Sequence, residues 1–288
     1  MSLTLAQARE KLARANRIVA QEGVLDAFGH VTMRHPTDPN RYLMSYSRAP
    51  ELVQAEDIHE FSLDSKIVRP IDERLYGERV IHGEIYKARP DVNAVCHHHA
   101  PSVLPFCISG MTLKPVYHLG ATLGAEVPFW DSRDEFGDTT LIVAKPEEGA
   151  SLARALGPNW IVLMRRHGAT VAGLSLEELM FRTIYTARNA AMQIQAHILG
   201  NVSPLTEIET EMAGTFNLQP MPVARACEYW SVRLDKAEGH WRPPATKRAA
   251  AAPSRTQAKS KTKTPAKTKA ASAKSRRSGT PKNGRRKP

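Results

Sequence analysis

The chain has 288 residues, a net charge of +11 at pH 7 and three cysteines without paired spacing. This length predicts one large domain or two small ones, and the cysteine usage argues against a disulfide-stabilised scaffold and favours a reducing, cytoplasmic location. No apolar run reaches the ~18 residues of a membrane-spanning helix, so no membrane partner is expected.

The positive charge is concentrated at the C-terminal end. Segment 242–288 holds 16 of the 40 Lys and Arg, and it has no Asp, Glu, Val, Ile, Leu, Met or aromatic residue. Such a segment cannot bury enough apolar surface to offset ordering, so we predict a disordered basic tail. Nonspecific contact with a polyanion is one interpretation of this charge, and a solvating extension without a partner is the other. Residues 1–241, with a net charge of −5, are expected to form the folded domain.

Helical and strand patterns alternate through the predicted domain. In chain order the predicted elements are helix 4–22, strands 29–34 and 42–45, helix 78–88, strand 92–99, a strand within 139–146, two strands around a turn within 159–173, and helices 176–199 and 222–237. Ser175 precedes the longest helix and Glu178 follows three residues later, which is the pattern of a capping box. The alternation predicts an α/β domain with helices around a central sheet.

Residues 95–101 read VCHHHAP, with three histidines at the end of a predicted strand. Side chains of a strand alternate between its faces, so His97 and His99 point to one side and His98 to the other. Two imidazoles on one face suit a transition-metal ion, and His167, between an apolar strand and a glycine, is the best candidate for a third ligand. Each histidine could also be a packed or surface residue, and spacing alone does not decide between the two.

Three segments, in order, resemble the class II aldolase/adducin family. They read GHVTMR (29–34), GERVIHGEIYKARPDVNAVCHHHAP (77–101) and WIVLMRRHGATVAG (160–173). The resemblance implies a single-domain α/β/α fold with a central, mostly antiparallel sheet flanked by helices. It also implies a homotetramer. The adducin branch shares the fold but lacks the metal ligands that this sequence keeps, so an enzyme is expected.

The resemblance assigns roles to four residues. His97, His99 and His167 match the three metal-ligand histidines of the family. One divalent ion per subunit is therefore expected, and three imidazoles suit Zn, Mn, Fe or Co. Glu78 matches the family's acidic residue, which acts as an acid/base and can also approach the metal.

The sequence departs from the sugar-phosphate members of the family at each phosphate-binding position. His30 stands in place of an Asn, Arg48 within MSYSRAPEL (44–52) replaces a small polar loop, and LYG (75–77) replaces a Ser pair. A phosphate site built from hydroxyls and backbone is therefore not expected. The SRAPEL segment is similar to members that decarboxylate hydroxylated aromatic dicarboxylic acids.

The resulting hypothesis is a metal-dependent decarboxylase of a hydroxylated aromatic (di)carboxylic acid. Glu78 and His30 are the predicted catalytic residues, and Ser45, Arg48 and His118 are the predicted contacts to a small carboxylate substrate. Arg48 suits bidentate binding of a carboxylate, although a surface salt bridge is an alternative. His82, one helical turn after Glu78, is a further candidate or a structural hydrogen-bonding residue.

Two other functions agree with the same sequence. One is a retro-aldolase that acts on a small, non-phosphorylated hydroxy-keto acid, since both reactions leave electrons on a carbon beside an oxygen that a metal can hold. The other is a non-catalytic, adducin-like scaffold that binds polyanions through segment 242–288.

Overall fold

One mixed sheet organises the computed structural model, which describes residues 3–240. Its seven strands within that range are β1 His30–Arg34, β2 Arg41–Ser45, β3 Ile58–Ser62, β4 Ala94–His98, β5 Phe129–Trp130, β6 Ile161–Met164 and β7 Gly168–Gly173. Their order is β3-β2-β1-β4-β7-β6-β5, and every neighbouring pair is antiparallel except β5 with β6. The predicted α/β fold with a mostly antiparallel central sheet is confirmed. The predicted disordered tail, 242–288, lies outside the described residues.

Helices cover both faces of the sheet. They are α1 Leu5–Gln21, α2 Arg79–Ala88, α3 Leu104–Ser109, α4 Arg133–Phe136, α5 Pro146–Leu156, α6 Leu176–Leu199, α7 Glu207–Asn217 and α8 Pro220–Ala237. The helices predicted at 4–22, 78–88, 176–199 and 222–237 correspond to α1, α2, α6 and α8, whereas α3, α4, α5 and α7 were not predicted. Among residues 3–240, none of these helices has the length and hydropathy needed to cross a membrane.

The alternation of strand side chains divides the core into two clusters. Leu43 and Cys96 pack with α1, α6 and α8 on one face of the sheet. Tyr42 and Val95, their sequence neighbours, pack with α2 and α5 on the opposite face. Because His97 lies two residues after Val95, its side chain lies on the α2 face, and His98 lies on the α1 and α6 face.

The prediction of a strand within 139–146 is wrong, since residues 139–145 form an irregular segment and α5 begins at Pro146. Leu141 has a φ of 66°, in the left-handed region that interrupts an extended run. The Thr139 hydroxyl accepts a hydrogen bond from the Leu141 N–H (3.0 Å), and the Thr140 hydroxyl accepts one from the Ile142 N–H (3.4 Å). These local hydrogen bonds compete with strand pairing.

The capping box predicted before α6 forms only in part. The Ser175 hydroxyl accepts a hydrogen bond from the Glu178 N–H (3.1 Å), as predicted. The Glu178 carboxylate does not return to Ser175 but pairs with Arg182, one turn further along the helix, at 2.7 Å. The Glu178 carboxylate therefore binds the buried guanidinium of Arg182 instead of completing the capping box.

Glu22, which caps the C-terminal end of α1, joins three helices. Its side chain is 4% exposed and forms 2.6 Å salt bridges with Arg188 of α6 and Arg233 of α8. Removal of the Glu22 charge would leave the guanidinium groups of Arg188 and Arg233 with a weaker, uncharged acceptor at a nearly buried position.

We expect Glu22→Gln to lower the free energy of unfolding by about 1–3 kcal/mol, because each hydrogen bond loses its charged acceptor. Urea denaturation measures this change. The matched control is Glu10→Gln at an exposed position of the same helix, which should change stability by less than about 0.5 kcal/mol. Equal effects of the two substitutions would contradict the bridging role of Glu22.

Candidate metal centre

Four side chains meet at one end of the sheet. His97 is the penultimate residue of β4, His99 follows the strand, His167 lies in the turn between β6 and β7, and Glu78 precedes the first residue of α2. Antiparallel pairing of β4 with β7 brings the three histidines to the same end of the sheet. One nitrogen or oxygen of each side chain lies within 4.8 Å of those of the other three.

The facing atoms within this cluster are close enough to bind one ion. The Nε2 atoms of His97 and His99 lie 3.0 Å apart. Glu78 Oε1 lies 3.3 Å from His167 Nε2, and Glu78 Oε2 lies 3.6 Å from His97 Nε2. Three imidazoles with one carboxylate are a donor set that divalent transition metals accept, so these residues fit such an ion.

Burial sets the charge of the cluster. It lowers the pKa of His97 well below its ordinary value, that of His167 to about 4 and that of His99 by a smaller amount. Neutral imidazoles offer lone pairs to a cation, which protonated rings do not. Burial also raises the pKa of Glu78 to about 7, against the opposing effect of a hydrogen bond from Val143.

Contacts outside the cluster orient its members. The Thr170 hydroxyl of β7 lies 3.3 Å from His97 Nδ1, which leaves His97 Nε2 facing the other three residues. The Val143 N–H donates to Glu78 Oε1 (3.4 Å). The backbone of Leu141 lies close enough to His167 to offset part of the pKa lowering that burial causes. The irregular segment within 139–146 therefore packs over the cluster, where a strand had been predicted.

Gly168 allows the turn that carries His167 to approach β4 closely. A Cβ added at Gly168 would overlap the carbonyl oxygen of His98 and would lie 2.7 Å from Cδ2 of His99. Real Cβ atoms do not occupy such positions, so any larger residue would displace His99 or the turn. The glycine noted after His167 in the sequence is thus required by packing.

His98 lies apart from the cluster, as the alternation of strand side chains predicts. Its ring is fully buried on the opposite face of the sheet, and its Nδ1 accepts a hydrogen bond from the Ala100 N–H (3.2 Å). Burial lowers its pKa to about 3, so this histidine is neutral as well. The histidine run therefore divides into two residues at the cluster and one in the core.

His30 lies beside the cluster, and Ser45 lies nearby at the end of β2. The His30 ring is buried, with Nε2 3.9 Å from Glu78 Oε2 and its centroid 4.5 Å from that of Tyr76. Ser45 is buried, and its hydroxyl has no hydrogen-bond partner among the described residues. Both positions agree with the roles predicted for these residues, which stay predictions.

The guanidinium of Arg48 forms a salt bridge, which was one of the two interpretations of this residue. Its Nη1 lies 3.1 Å from Asp57 Oδ1 and donates to the Tyr46 hydroxyl at 2.8 Å. The backbone N–H and carbonyl of Arg48 both bond to the Tyr76 hydroxyl. The backbone of Arg48 is therefore held against Tyr76, which contacts His30, and the Arg48 side chain is 35% exposed.

The structure does not bring His118 to the cluster within the described part of one chain. His118 begins a short 3-10 segment, His118–Leu123, and its ring lies edge-on to Tyr117. It lines a groove of about 560 Å³ with Phe181, Tyr185 and other residues of α6 to α8. Residue spacing does not encode the long-range contacts of His118, and its position in one chain does not support the predicted substrate contact.

Sequence reasoning missed three polar residues behind the site. Tyr76 packs against His30, and Thr32 and Tyr86 join His82 in hydrogen bonds. A signal for Thr32 was available, because residues two apart on a strand share a face and Thr32 follows His30 by two. The signal for Tyr86 was its position one helical turn after His82 on α2.

Comparisons with known proteins agree with this geometry. The family model described as Class II Aldolase and Adducin N-terminal domain matches residues 10–194. Decarboxylase tropJ of Talaromyces stipitatus is 34% identical over 235 residues, covering 74% of this chain and 88% of that protein. The 3,4-dihydroxyphthalate decarboxylase of Arthrobacter keyseri is 29% identical over 241 residues, covering 75% and 92%. An L-fuculose 1-phosphate aldolase from Glaciozyma antarctica shares the fold, with a TM-score of 0.69 at 20% identity over 83% of this chain and 94% of that chain.

We expect Gly168→Ala to lower metal content severalfold, because the added methyl group displaces His99. Elemental analysis of the purified variant measures this loss, and circular dichroism checks that the fold is retained. Gly77→Ala is the matched control, since nothing lies within 4 Å of a Cβ at Gly77 although it adjoins Glu78. Full metal content in Gly168→Ala would contradict the packing argument.

Proposed function

The chain belongs to the class II aldolase and adducin family, and on that premise we propose that it is a metal-dependent decarboxylase of a hydroxylated aromatic (di)carboxylic acid. The family and the decarboxylases among its relatives support a lyase. The observation that carries the proposal is the convergence of three neutral imidazoles and a buried carboxylate at one end of the sheet. The decarboxylase relatives support the choice of reaction.

His97, His99 and His167 would hold one divalent ion, Zn, Mn, Fe or Co, with the Glu78 carboxyl group beside it. Such an ion supplies a Lewis acid that stabilises negative charge on a substrate oxygen. The neutral state of the three histidines favours a cation over protons at this position.

Glu78 is the proposed proton donor. In the reaction, the bond between the ring carbon and the carboxylate carbon breaks, carbon dioxide leaves, and the electron pair stays on the ring. A proton from the Glu78 carboxyl group then forms the new carbon–hydrogen bond, and water returns a proton to Glu78. A carboxyl group whose pKa burial raises to about 7 can both hold and release a proton near neutral pH.

Arg48 and Ser45 are the proposed contacts to the carboxylate that the substrate keeps. Arg48 is partly exposed beside Tyr76, which contacts His30, so its position suits the rim of the site. Its guanidinium would be shared between Asp57 and the substrate. We assign no such contact to His118 of the same chain. The homotetramer stays a prediction from the family resemblance.

Glu78→Gln should lower the rate of carbon dioxide release by at least about a hundredfold, because the amide cannot transfer the proton. The three histidines should still retain the metal. Release of carbon dioxide from 3,4-dihydroxyphthalate and related hydroxylated benzene dicarboxylates measures the rate, and elemental analysis measures the metal.

The matched control is Glu84→Gln, at a position on α2 where the carboxylate pairs with Lys87. It should keep the wild-type rate. Full activity of Glu78→Gln would refute the role of Glu78. Formation of an aldehyde and a ketone by the wild type on hydroxy-keto acids, without carbon dioxide release from any of the dicarboxylates, would favour the retro-aldolase.

A further inference from the structure

A series of hydrogen bonds runs from His30 into the core, away from the metal-binding cluster. His30 Nδ1 lies 2.7 Å from His82 Nε2, and His82 Nδ1 lies 2.8 Å from the Thr32 hydroxyl. The Thr32 hydroxyl lies 2.8 Å from the hydroxyl of Tyr86. All four side chains are buried, and we call them the polar row.

Each member of the polar row carries one proton that it can donate. His30 Nδ1 and His82 Nε2 lie 2.7 Å apart, which leaves room for one proton between the rings, and burial lowers the pKa of His82 to about 3, so His82 is neutral. Burial also raises the pKa of Tyr86, so its hydroxyl keeps its proton. Since each neutral imidazole has one donor and one acceptor nitrogen, the direction of one hydrogen bond fixes the direction of the next.

In the first of two arrangements, every short contact contains one proton. The Tyr86 hydroxyl donates to Thr32, the Thr32 hydroxyl donates to His82 Nδ1, and His82 Nε2–H donates to His30 Nδ1. The remaining proton of the row is then on His30 Nε2. This nitrogen lies 3.9 Å from Glu78 Oε2, so an N–H there faces a carboxylate oxygen.

The second arrangement reverses both histidines and has weaker contacts. His82 Nδ1–H would donate to Thr32, and either the Thr32 proton or, if Thr32 donates to Tyr86, the Tyr86 proton would then have to go to the Val95 carbonyl, which lies 3.4 Å from the Thr32 hydroxyl. In either case one proton of the row goes to a backbone carbonyl that no short contact reaches, whereas the first arrangement uses only the short contacts. The lone pair of His30 Nε2 would also face Glu78, which is repulsive when that carboxylate is charged.

We propose that His82, held by Thr32, is a positioning residue that fixes His30 as its Nε2–H tautomer, so that His30 donates a hydrogen bond to an anionic oxygen of the substrate. This inference rests on the proposed function. His30 Nε2 is buried and has no hydrogen-bond partner among the residues that the structure describes. A substrate carboxylate or phenolate oxygen would satisfy it.

The polar row is not a path for protons from solvent. Its inner end is the fully buried hydroxyl of Tyr86, and loss of a proton there would leave a buried phenolate. Glu78 remains the proposed proton donor, and His82 acts only through the tautomer of His30. This assigns His30, predicted from the sequence as a catalytic residue, to binding and stabilisation of the substrate anion.

Two substitutions of His82 separate the two bonds that it makes. The shorter side chain of His82→Asn can keep a contact with Thr32 but does not reach His30. The amide of His82→Gln extends to the position of Nε2 and can donate to His30 Nδ1. Both variants remain polar and smaller than histidine, so neither forces an overlap in the core.

The experiment uses the zinc-loaded full chain with ¹⁵N-labelled histidine, and ¹⁵N NMR of the ring nitrogens reports the tautomer. His30→Gln assigns the His30 signals. Wild type and His82→Gln should show His30 protonated on Nε2, whereas His82→Asn should show a mixture. In the carbon dioxide assay, kcat/KM should fall roughly tenfold in His82→Asn and recover in His82→Gln, as expected for one misdirected hydrogen bond. Metal content should not change.

Protonation of His30 on Nδ1 in the wild type would overturn the proposal. The same tautomer of His30 in His82→Asn as in the wild type would also overturn it. The tautomer is read without substrate, so its outcome is separate from that of the proposed function. If the wild type releases no carbon dioxide from any dicarboxylate but His82→Asn still shifts the tautomer, the decarboxylase proposal fails and the positioning role of His82 stands.

Discussion

The register in which β4 pairs with β1 and β7 is the constraint on which the site depends. It places His97 opposite His30 on one side and opposite Thr170 on the other. A slip by one residue would turn His97 toward the opposite face and His98 toward Glu78. The cluster, its orienting contact from Thr170 and the polar row behind it all follow from this register.

Burial of the cluster has opposite effects on its two kinds of residue. It keeps the histidines neutral, which prepares them to bind a cation, and it raises the pKa of Glu78 to about 7, which prepares that residue to carry a proton. The site also holds a polar atom that the protein does not satisfy, since His30 Nε2, beside the cluster, lacks a hydrogen-bond partner among the described residues. A buried site with unmet donors and converging lone pairs is suited to an ion and an anionic substrate.

Much of the site could be predicted because it depends on local periodicity. Strand alternation separates His97 and His99 from His98, and the ordered segments identify Glu78 and His167. The salt bridge of Arg48 with Asp57 and the placement of His118 beside Tyr117 depend on contacts that spacing does not encode. Segment 139–146 is apolar enough for a strand, but its threonines bond to the local backbone and its Leu141 adopts a positive φ.

Metal content of the wild type beside His99→Asn and His98→Asn tests the central claim most directly. Asn at position 98 can still accept a hydrogen bond from the Ala100 N–H, so this variant controls for loss of the ring. The account predicts roughly one divalent ion per chain in the wild type and in His98→Asn, and almost none in His99→Asn. Equal metal content in all three proteins, or none in the wild type, would contradict it.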